Sequence, residues 1–320
     1  MSVGIIGTVG VPSSYGGFET LVEHLIKKDH AKYTVYCSGK HFNKKLKSYK
    51  GARLVYIPLK ANGVSSIFYD IFSMLHACFC GNKNLLILGV SGAIFIPVIR
   101  LIFPKIRVIT NIDGIEWKRD KWNFFIKGFI RFSEFLAIKF SNIVIADNKA
   151  IADYVKNSFG KQCETIAYGG DHVLVKQNNK NHNQPKPGSY VLGLCRIEPE
   201  NNVHLILETF KNINKKLVFI GNWNSSKYGL NLKETFSSHE NISLLDPIYD
   251  LEILFMHRSN CEFYVHGHSA GGTNPALVEM MHFGKPIVAY DCIFNRETLH
   301  HEGMYFKNEN DLKKIFSSDN

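Results

Sequence analysis

The sequence predicts an α/β chain of two doubly wound parallel-sheet domains facing a central cleft, and three observations carry that prediction. Short apolar runs alternate with helical patterns along nearly the whole chain, as parallel sheets covered by crossover helices require. A single polar stretch without periodicity, KQNNKNHNQPKPG at 176–188, interrupts the alternation and reads as a linker. Glycine-rich turns follow the strands at 3–7 and 262–265, on the side where open α/β sheets bind ligands. The expected organisation is a first domain over 1–175, the linker, and a second domain over 189–320.

The first domain opens with the apolar strand at 3–7. Phe18, Leu21, Val22, Leu25 and Ile26 recur at helical spacing and make 18–30 an amphipathic helix. Strands are expected at 33–37, 53–57, 85–88, 107–110 and 143–146, with helices at 65–79, 93–103, 123–140 and 149–159. The apolar run at 84–103 has an LLILG start and a central SGA, so it reads as a buried strand, a turn and a helix, not a membrane span. In the second domain, strands are expected at 190–194, 217–220, 242–244, 262–265 and 286–289, and helices at 203–212, 251–257 and 275–283. The last helix is the best marked: Asn274 suits the N-cap, Pro275 the first helical position, and Gly284 the stop.

Composition is that of a globular protein, 45% hydrophobic and 21% charged, with a mean hydropathy of −0.09. Seven scattered cysteines without a metal-type CxxC pair, and no signal-like segment ahead of Gly4, lead to the expectation of a reducing cytoplasm. The net charge of +10 is uneven: residues 1–175 hold 23 Lys and Arg against 12 Asp and Glu, residues 176–320 hold 15 against 16. Such asymmetry points to an anionic surface met by the first half, membrane headgroups or nucleic acid. The stretch KRDKWNFFIKGFIRFSEFLAIKF at 118–140 interleaves Phe124, Phe125, Phe129, Phe132 and Phe135 with Lys118, Arg119, Lys121, Lys127 and Arg131. A basic aromatic helix of this kind can lie on an anionic membrane, or its phenylalanines can be core and its lysines solvated. We expect the membrane, and no nucleic-acid partner.

Further motifs fall at strand ends. Gly16 and Gly17 precede the helix at 18–30, either as a structural turn or as a loop facing the cleft. Gly4, Gly7 and Gly10 do not have dinucleotide spacing, and the next strand ends at Cys37-Ser38-Gly39 without an acid, which argues against a nicotinamide enzyme. Asp113, in NIDGIEWKRDKW, is either a cleft residue or part of a plain turn, and Glu116 could pair with Arg119 or Lys121. Arg196 lies just past a strand, where its guanidinium suits a phosphate unless Glu198 and Glu200 neutralise it. His266 and His268 lack metal-like partners and read as hydrogen-bonding residues; no metal is expected. Gly271 and Gly272 lie ahead of the helix carrying Glu279, a layout suited to a phosphate-bearing ligand with hydroxyls, or to an ordinary loop-to-helix corner.

Taken together, YGGFET (15–20), NIDGIEWKRDKW (111–122), CRIEPENN (195–202), HGHSAGGTNP (266–275), LVEMM (277–281) and YDCIFNRE (290–297) resemble, in order, the retaining GT-B glycosyltransferases of family 4. The likeness is to the bacterial polysaccharide rhamnosyltransferase-like subgroup and spans nearly the whole chain. It implies metal-independent transfer from a nucleotide sugar, dTDP-rhamnose above UDP- or GDP-hexoses, to a saccharide on undecaprenyl diphosphate at the inner face of the plasma membrane. Carried over by position, Arg196 would hold the diphosphate, Gly271, Gly272, Thr273 and Asn274 would meet phosphates and sugar, and Glu279 would bind the ribose. Gly16 and Gly17 would line the donor–acceptor junction, and Asp113 would lie near the transferred sugar; Asp113 and His268 are the candidate catalytic residues. Two departures stand out: Gly271 occupies the place of a family glutamate, and Asn201 the place of a family lysine, which leaves one fewer phosphate cation. The change at Gly271 is one associated with this subgroup; the missing lysine suggests the alternative of a degenerate, non-catalytic nucleotide-sugar binder.

Overall fold

The computed structural model describes residues 2–13, 16–28, 32–112, 114–119, 122–175 and 188–317. The chain divides into two compact units, Met1–Ala167 and Tyr168–Asn320, so residues 168–175 group with the second unit. The linker expected at 176–188 lies, but for Gly188, outside the described residues.

The first unit runs β1 (Ser2–Ile6), α1 (Gly17–Lys28), β2 (Lys32–Ser38), β3 (Ser48–Tyr49), β4 (Ala52–Ile57), α2 (Ser65–Phe79), β5 (Asn84–Leu88), α3 (Ile96–Ile102), β6 (Arg107–Ile112), α4 (Phe124–Phe140), β7 (Ile143–Ala146), α5 (Lys149–Phe159) and β8 (Glu164–Thr165). Its sheet has the order β3-β4-β2-β1-β5-β6-β7-β8. Only the short β3 is antiparallel to its neighbour. The order reverses at β1, where Gly4 pairs with Thr34 of β2 on one side and Leu85 of β5 on the other. Right-handed crossovers then place α1 on one face and α2 to α5 on the other. The cores agree: Val22 and Ile26 of α1 pack with Val35 and Leu54, whereas Met74, Ile99, Ile138 and Val155 pack with Leu85 and Val108.

The second unit runs β9 (Val191–Leu194), α6 (Val203–Lys211), β10 (Leu217–Ile220), α7 (Lys227–Phe236), β11 (Ile242–Leu245), α8 (Leu251–Asn260), β12 (Phe263–His266), α9 (Pro275–Met281), β13 (Ile287–Tyr290), α10 (Ile293–Thr298), β14 (Met304–Phe306) and α11 (Glu309–Ser317). Its parallel sheet has the order β11-β10-β9-β12-β13-β14, with the reversal between β9 and β12. The doubly wound α/β class expected for both halves is the class observed. Helix α9 begins as expected, with the Asn274 side chain accepting from the Ala276 N–H, but it ends at Met281, two residues before the position the pattern suggested.

Helix α7 was not expected, and its sequence explains why. KYGLNLKETF has glycine in its first turn, and only Leu232 and Phe236 among its apolar residues are buried. Gly229 is required by packing, since a Cβ there would sit 2.3 Å from the Trp223 carbonyl oxygen. Strand β14 and helix α10 were also unexpected; at three and six residues they are too short to show a period.

All seven cysteines are free thiols. Burial pushes those of Cys37, Cys78, Cys163 and Cys261 up to about 11, and raises Cys195 and Cys292 as well. Cys80, just beyond α2, is exposed. Among the described residues no helix is long and apolar enough to cross a membrane.

Candidate functional site

The reversal of strand order in the second unit fixes where a ligand site belongs. The loops leaving the carboxyl ends of β9 and β12 lie at that reversal, the position where open α/β sheets bind ligands. The β9 loop carries Arg196 and the β12 loop carries His268 to Asn274.

These two loops are laced together. Asn202 Nδ2 donates to the Gly267 carbonyl at 2.8 Å, and Ser269 donates from its backbone N–H and its hydroxyl to the Glu200 carbonyl, at 2.9 and 2.8 Å. Asn201, 2% exposed, donates from Nδ2 to the Arg196 carbonyl at 2.7 Å and has Oδ1 2.8 Å from His268 Nδ1. Gly267 admits this approach, because a Cβ there would lie 2.0 Å from the Asn201 carbonyl oxygen. The Asn295 amide holds the His268 carbonyl from the other side, at 2.8 Å. The result is a rigid rim of backbone from which Arg196 projects, exposed and touching Glu198 at 3.3 Å. An exposed contact of that length is weak, so the Glu198 carboxylate does not tie the guanidinium down.

Beyond His268 the chain is bare and buried. Gly271 has φ +119°, a conformation glycine favours, and a Cβ there would sit 3.3 Å from His268 Nε2. Gly272 and Thr273 are buried beside it, and Asn274 caps α9. His266 at the end of β12 is 1% exposed, with Nδ1 3.2 Å from the Tyr264 hydroxyl. Burial pushes its ring down to about 3, and its Nε2 has no partner among the described residues.

Glu279 is not the surface glutamate its sequence context allowed. Its Oε2 is paired with Arg258 of α8, whose side chain is 4% exposed, and its Oε1 lies 3.2 Å from His172 Nε2. Neither partner was foreseen, since Arg258 is 21 residues away and His172 is 107. A carboxylate held this way is oriented, with ring and guanidinium fixing both oxygens.

In the first unit the strand order reverses between β1 and β5, and the glycine loop leaves β1 there. Gly7 has φ +93°, and a Cβ would sit 2.0 Å from the Leu88 carbonyl oxygen of β5. Gly16 has φ +129° and lies against Glu19. Glu19, 8% exposed, is the residue that sequence reasoning missed: its Oε1 accepts from the Thr8 hydroxyl at 2.9 Å and the Val9 N–H at 2.7 Å, pinning the loop from the helix that Gly17 begins. On the far side of the reversal, Asp70 accepts from the Ser91 hydroxyl at 2.7 Å and the Gly92 N–H at 3.1 Å; complete burial pushes its carboxyl up to about 7.

Asp113 and Lys121 lie outside the described residues. Arg119 does not belong to the basic face proposed for it: it is 9% exposed and its Nη1 donates to Glu116 at 2.8 Å. Lys118 and Arg131 are exposed and stack on Trp117, at 5.6 and 5.0 Å from the ring centre, and Lys127 is half-buried. Beneath them Glu134 of α4 is fully buried and accepts from the Tyr154 hydroxyl at 2.6 Å; burial raises its carboxyl to about 7.

The phenylalanines of α4 divide clearly. Phe124 and Phe125 are 84% and 83% exposed, Phe132 and Phe135 are exposed as well, and Phe129 packs on the core. The same side of the sheet also exposes Phe68, Phe72 and Phe79 on α2 and Leu101 and Ile102 on α3. The helices on this side of the sheet thus carry many exposed large apolar side chains. Among the described residues no group of three or more His, Cys, Asp or Glu is gathered as a metal site would need.

Comparison with known proteins follows these two units. Residues 1–171 match the family described as Domain of unknown function (DUF1972), and residues 175–315 match Glycosyl transferases group 1. No curated protein sequence matches the chain. Among solved structures, a sucrose-phosphate synthase from Thermosynechococcus elongatus aligns with TM-score 0.79 at 12% identity, over 99% of this chain and 89% of that one. HepE of Anabaena, in complex with UDP and glucose, aligns with TM-score 0.73 at 13% identity over 99% and 89%. The catalytic domain of starch synthase IV from Arabidopsis thaliana, bound to ADP and acarbose, aligns with TM-score 0.70 at 12% identity over 99% and 91%. Identities this low speak for the fold, and that fold is GT-B. The chain belongs to the DUF1972 family, whose domain it joins to a group 1 glycosyltransferase domain.

Proposed function

We propose that this glycosyltransferase moves a sugar, with retention of anomeric configuration and without a metal, from a nucleotide-sugar donor to a saccharide on a lipid diphosphate. The donor we favour is dTDP-rhamnose, and the setting is assembly of a bacterial surface polysaccharide at the inner face of the plasma membrane. One observation carries the reading: the laced β9 and β12 loops at the strand-order reversal, with Arg196 projecting from one and the buried Gly271-Gly272-Thr273 run leading to the Asn274 cap on the other. Arg196 would bind the diphosphate through its fork of N–H groups, and the bare backbone would admit the phosphates closely. Charge grows on the departing diphosphate as the glycosidic bond breaks, so fixed donors stabilise the transition state more than the bound donor. Glu279, oriented by Arg258 and His172, would accept from the ribose hydroxyls. In a retaining reaction of this type the acceptor hydroxyl attacks on the face the leaving group vacates, and the departing phosphate takes its proton.

The lipid part of the proposal is supported by the apolar face of α2, α3 and α4, together with Lys118 and Arg131 beside it. Aromatic side chains entering the interface, with cations against anionic headgroups, are the two contributions that hold a peripheral protein on a bilayer.

The test is a thermal-shift series of the purified chain against dTDP-, UDP-, GDP- and CMP-sugars, with NAD and NADP as controls, followed by transfer to a lipid-linked saccharide. Stabilisation by one nucleotide sugar and turnover with that donor is the expected result. Stabilisation without turnover would favour the non-catalytic binder, and a response to NAD alone would overturn the reading.

A further inference from the structure

We propose that the exposed stripe of α4 holds the acceptor itself: Lys118 and Arg131, braced on Trp117, receive the diphosphate of the lipid-linked saccharide, and the gap over Gly128 receives the first carbons of its lipid chain. The inference rests on the proposed reading of the chain as a transferase acting on a lipid diphosphate, and it gives that acceptor an address.

Gly128 has no explanation inside the chain. It lies in the second turn of a 17-residue helix, where glycine is the costliest residue after proline. Its backbone is ordinary helix, and a Cβ there would meet nothing within 4 Å, so neither conformation nor packing requires it. Its neighbours show what the missing side chain leaves open. Phe124 and Phe125, with ring centres 5.9 Å apart, stand about one turn before it, and Phe132 and Phe135, stacked at 6.4 Å, stand after it. All four rings are exposed, and helical spacing puts residues 124, 125, 128, 131, 132 and 135 on one side of α4. Phe125 and Phe132 are separated by about 10 Å along the axis. Contacts of about 4 Å to the ring on each side fit one hydrocarbon chain between them. Resting on a bilayer needs no such gap.

The cations stand at its edge. Arg131 is on the same side of α4, and its guanidinium carbon lies 5.0 Å from the centre of the Trp117 ring; Lys118 Nζ lies 5.6 Å from the same centre. The ring face attracts both and keeps them together. Trp117 is anchored in turn: its Nε1 donates to the Tyr154 hydroxyl at 3.2 Å, and that hydroxyl donates to the buried Glu134 at 2.6 Å. Among the described residues neither cation forms an ion pair with a carboxylate. A guanidinium fork and a point charge, ordered side by side, suit the two phosphoryl groups of a diphosphate. Trp117 also belongs to the loop that leaves the carboxyl end of β6, the side on which open α/β sheets take their ligands. A compact anion next to a single apolar chain is the chemistry of a lipid diphosphate.

The test is calorimetric titration of the full chain with farnesyl diphosphate, a soluble short-chain probe, with inorganic diphosphate and farnesol as its separate halves. Excess dTDP and UDP are present throughout, to occupy the clamp proposed for the second unit. Farnesyl diphosphate should bind once per chain and about tenfold or more tighter than either half, because the chain adds buried apolar area. Arg131→Gln should weaken it about tenfold, the loss of one charge-assisted hydrogen bond. Gly128→Leu fills the gap, so farnesyl diphosphate should bind about tenfold more weakly while inorganic diphosphate is unaffected. The same variant should raise the Tm of the first unit by about 2–4 °C, since leucine is the better helix former. Affinity and stability moving in opposite directions is not what a merely structural glycine would give. Equal affinity for inorganic and farnesyl diphosphate would mean a free-phosphate site and overturn the inference. So would flotation with phosphatidylglycerol vesicles that depends on Arg131 while farnesyl diphosphate does not bind, the mark of a headgroup contact, and so would unchanged affinity in Gly128→Leu. In each of these cases transfer to a lipid-linked saccharide by the parent chain keeps the underlying reading; absence of that transfer overturns the reading instead.

Discussion

Replacing Glu279 with alanine removes the one carboxylate paired with a guanidinium that is 4% exposed. Arg258 then keeps its charge inside the second unit, with Nε already lacking a partner among the described residues. Breaking a buried pair by removing one member costs about 3–5 kcal/mol, against a total of about 5–15 kcal/mol for a domain. For a unit of this size each kcal/mol lowers Tm by about 2–4 °C, so the second unit should melt about 10 °C earlier. Glu279→Gln keeps an acceptor for Arg258 and should lose about 1–3 kcal/mol. The double change Glu279→Leu with Arg258→Met removes both charges and should recover most of the alanine loss, since apolar residues of similar volume replace buried pairs at little cost. Scanning calorimetry of the three variants measures this, and donor titration well below each Tm reads the ribose contact separately. A Glu279→Ala melt within 2 °C of the parent, or a double variant no better than the single one, would refute the reasoning.

Four other outcomes are expected. Gly7→Ala should cost about 2 kcal/mol or more in a urea melt, because the position has φ +93° and the new methyl meets the Leu88 carbonyl; a neutral result would contradict that approach. Serine at both Phe124 and Phe125 should abolish flotation with anionic vesicles while changing stability by about 0.5 kcal/mol or less, as both rings are largely exposed; unchanged flotation would remove them from the lipid face. His266 is held neutral with its ring at about 3 against 6.5 unfolded, so the unfolded state takes up the proton first and stability falls as pH drops below 6.5. Between pH 7 and 5 this amounts to about 2 kcal/mol, and His266→Phe should be less acid-sensitive by that amount in paired denaturant melts; equal slopes would show the ring is not buried neutral. Arg196→Lys keeps the charge and loses the fork, so donor affinity should fall about tenfold by titration, and an unchanged affinity would count against a diphosphate clamp.

The residues show what a sequence can disclose. The Asn274-Pro275 helix start was legible because capping and proline at the first position are local rules that need no knowledge of neighbours. The alternation of strands and helices was legible for the same reason. Helix α7 was not, because Gly229 answers a contact with Trp223 that no local pattern encodes. The candidate site divides along the same line. Glycines and an arginine at strand ends announced the loops, whereas the clamps on Glu279 and His268 come from partners 21 to 107 residues away. The Arg119–Glu116 pair was one of the readings open from the sequence, but the burial that takes Arg119 out of the basic face depends on packing that charge spacing does not encode. The α4 phenylalanines were ambiguous between core and surface, since the helical period gives spacing but not which neighbour covers a face.

The thiols have a practical consequence. Six of the seven are covered to some degree and raised by burial, which slows their attack on electrophiles, and the exposed Cys80 directly follows Phe79 at the edge of the apolar face. Cys80 should therefore be the first thiol to take a maleimide dye, which mass spectrometry of the labelled chain would show. If the face makes the lipid contact proposed for it, a polarity-sensitive fluorophore placed there would sit at the water–lipid boundary. Its emission would follow landing and release in real time, on the unmutated protein and during turnover.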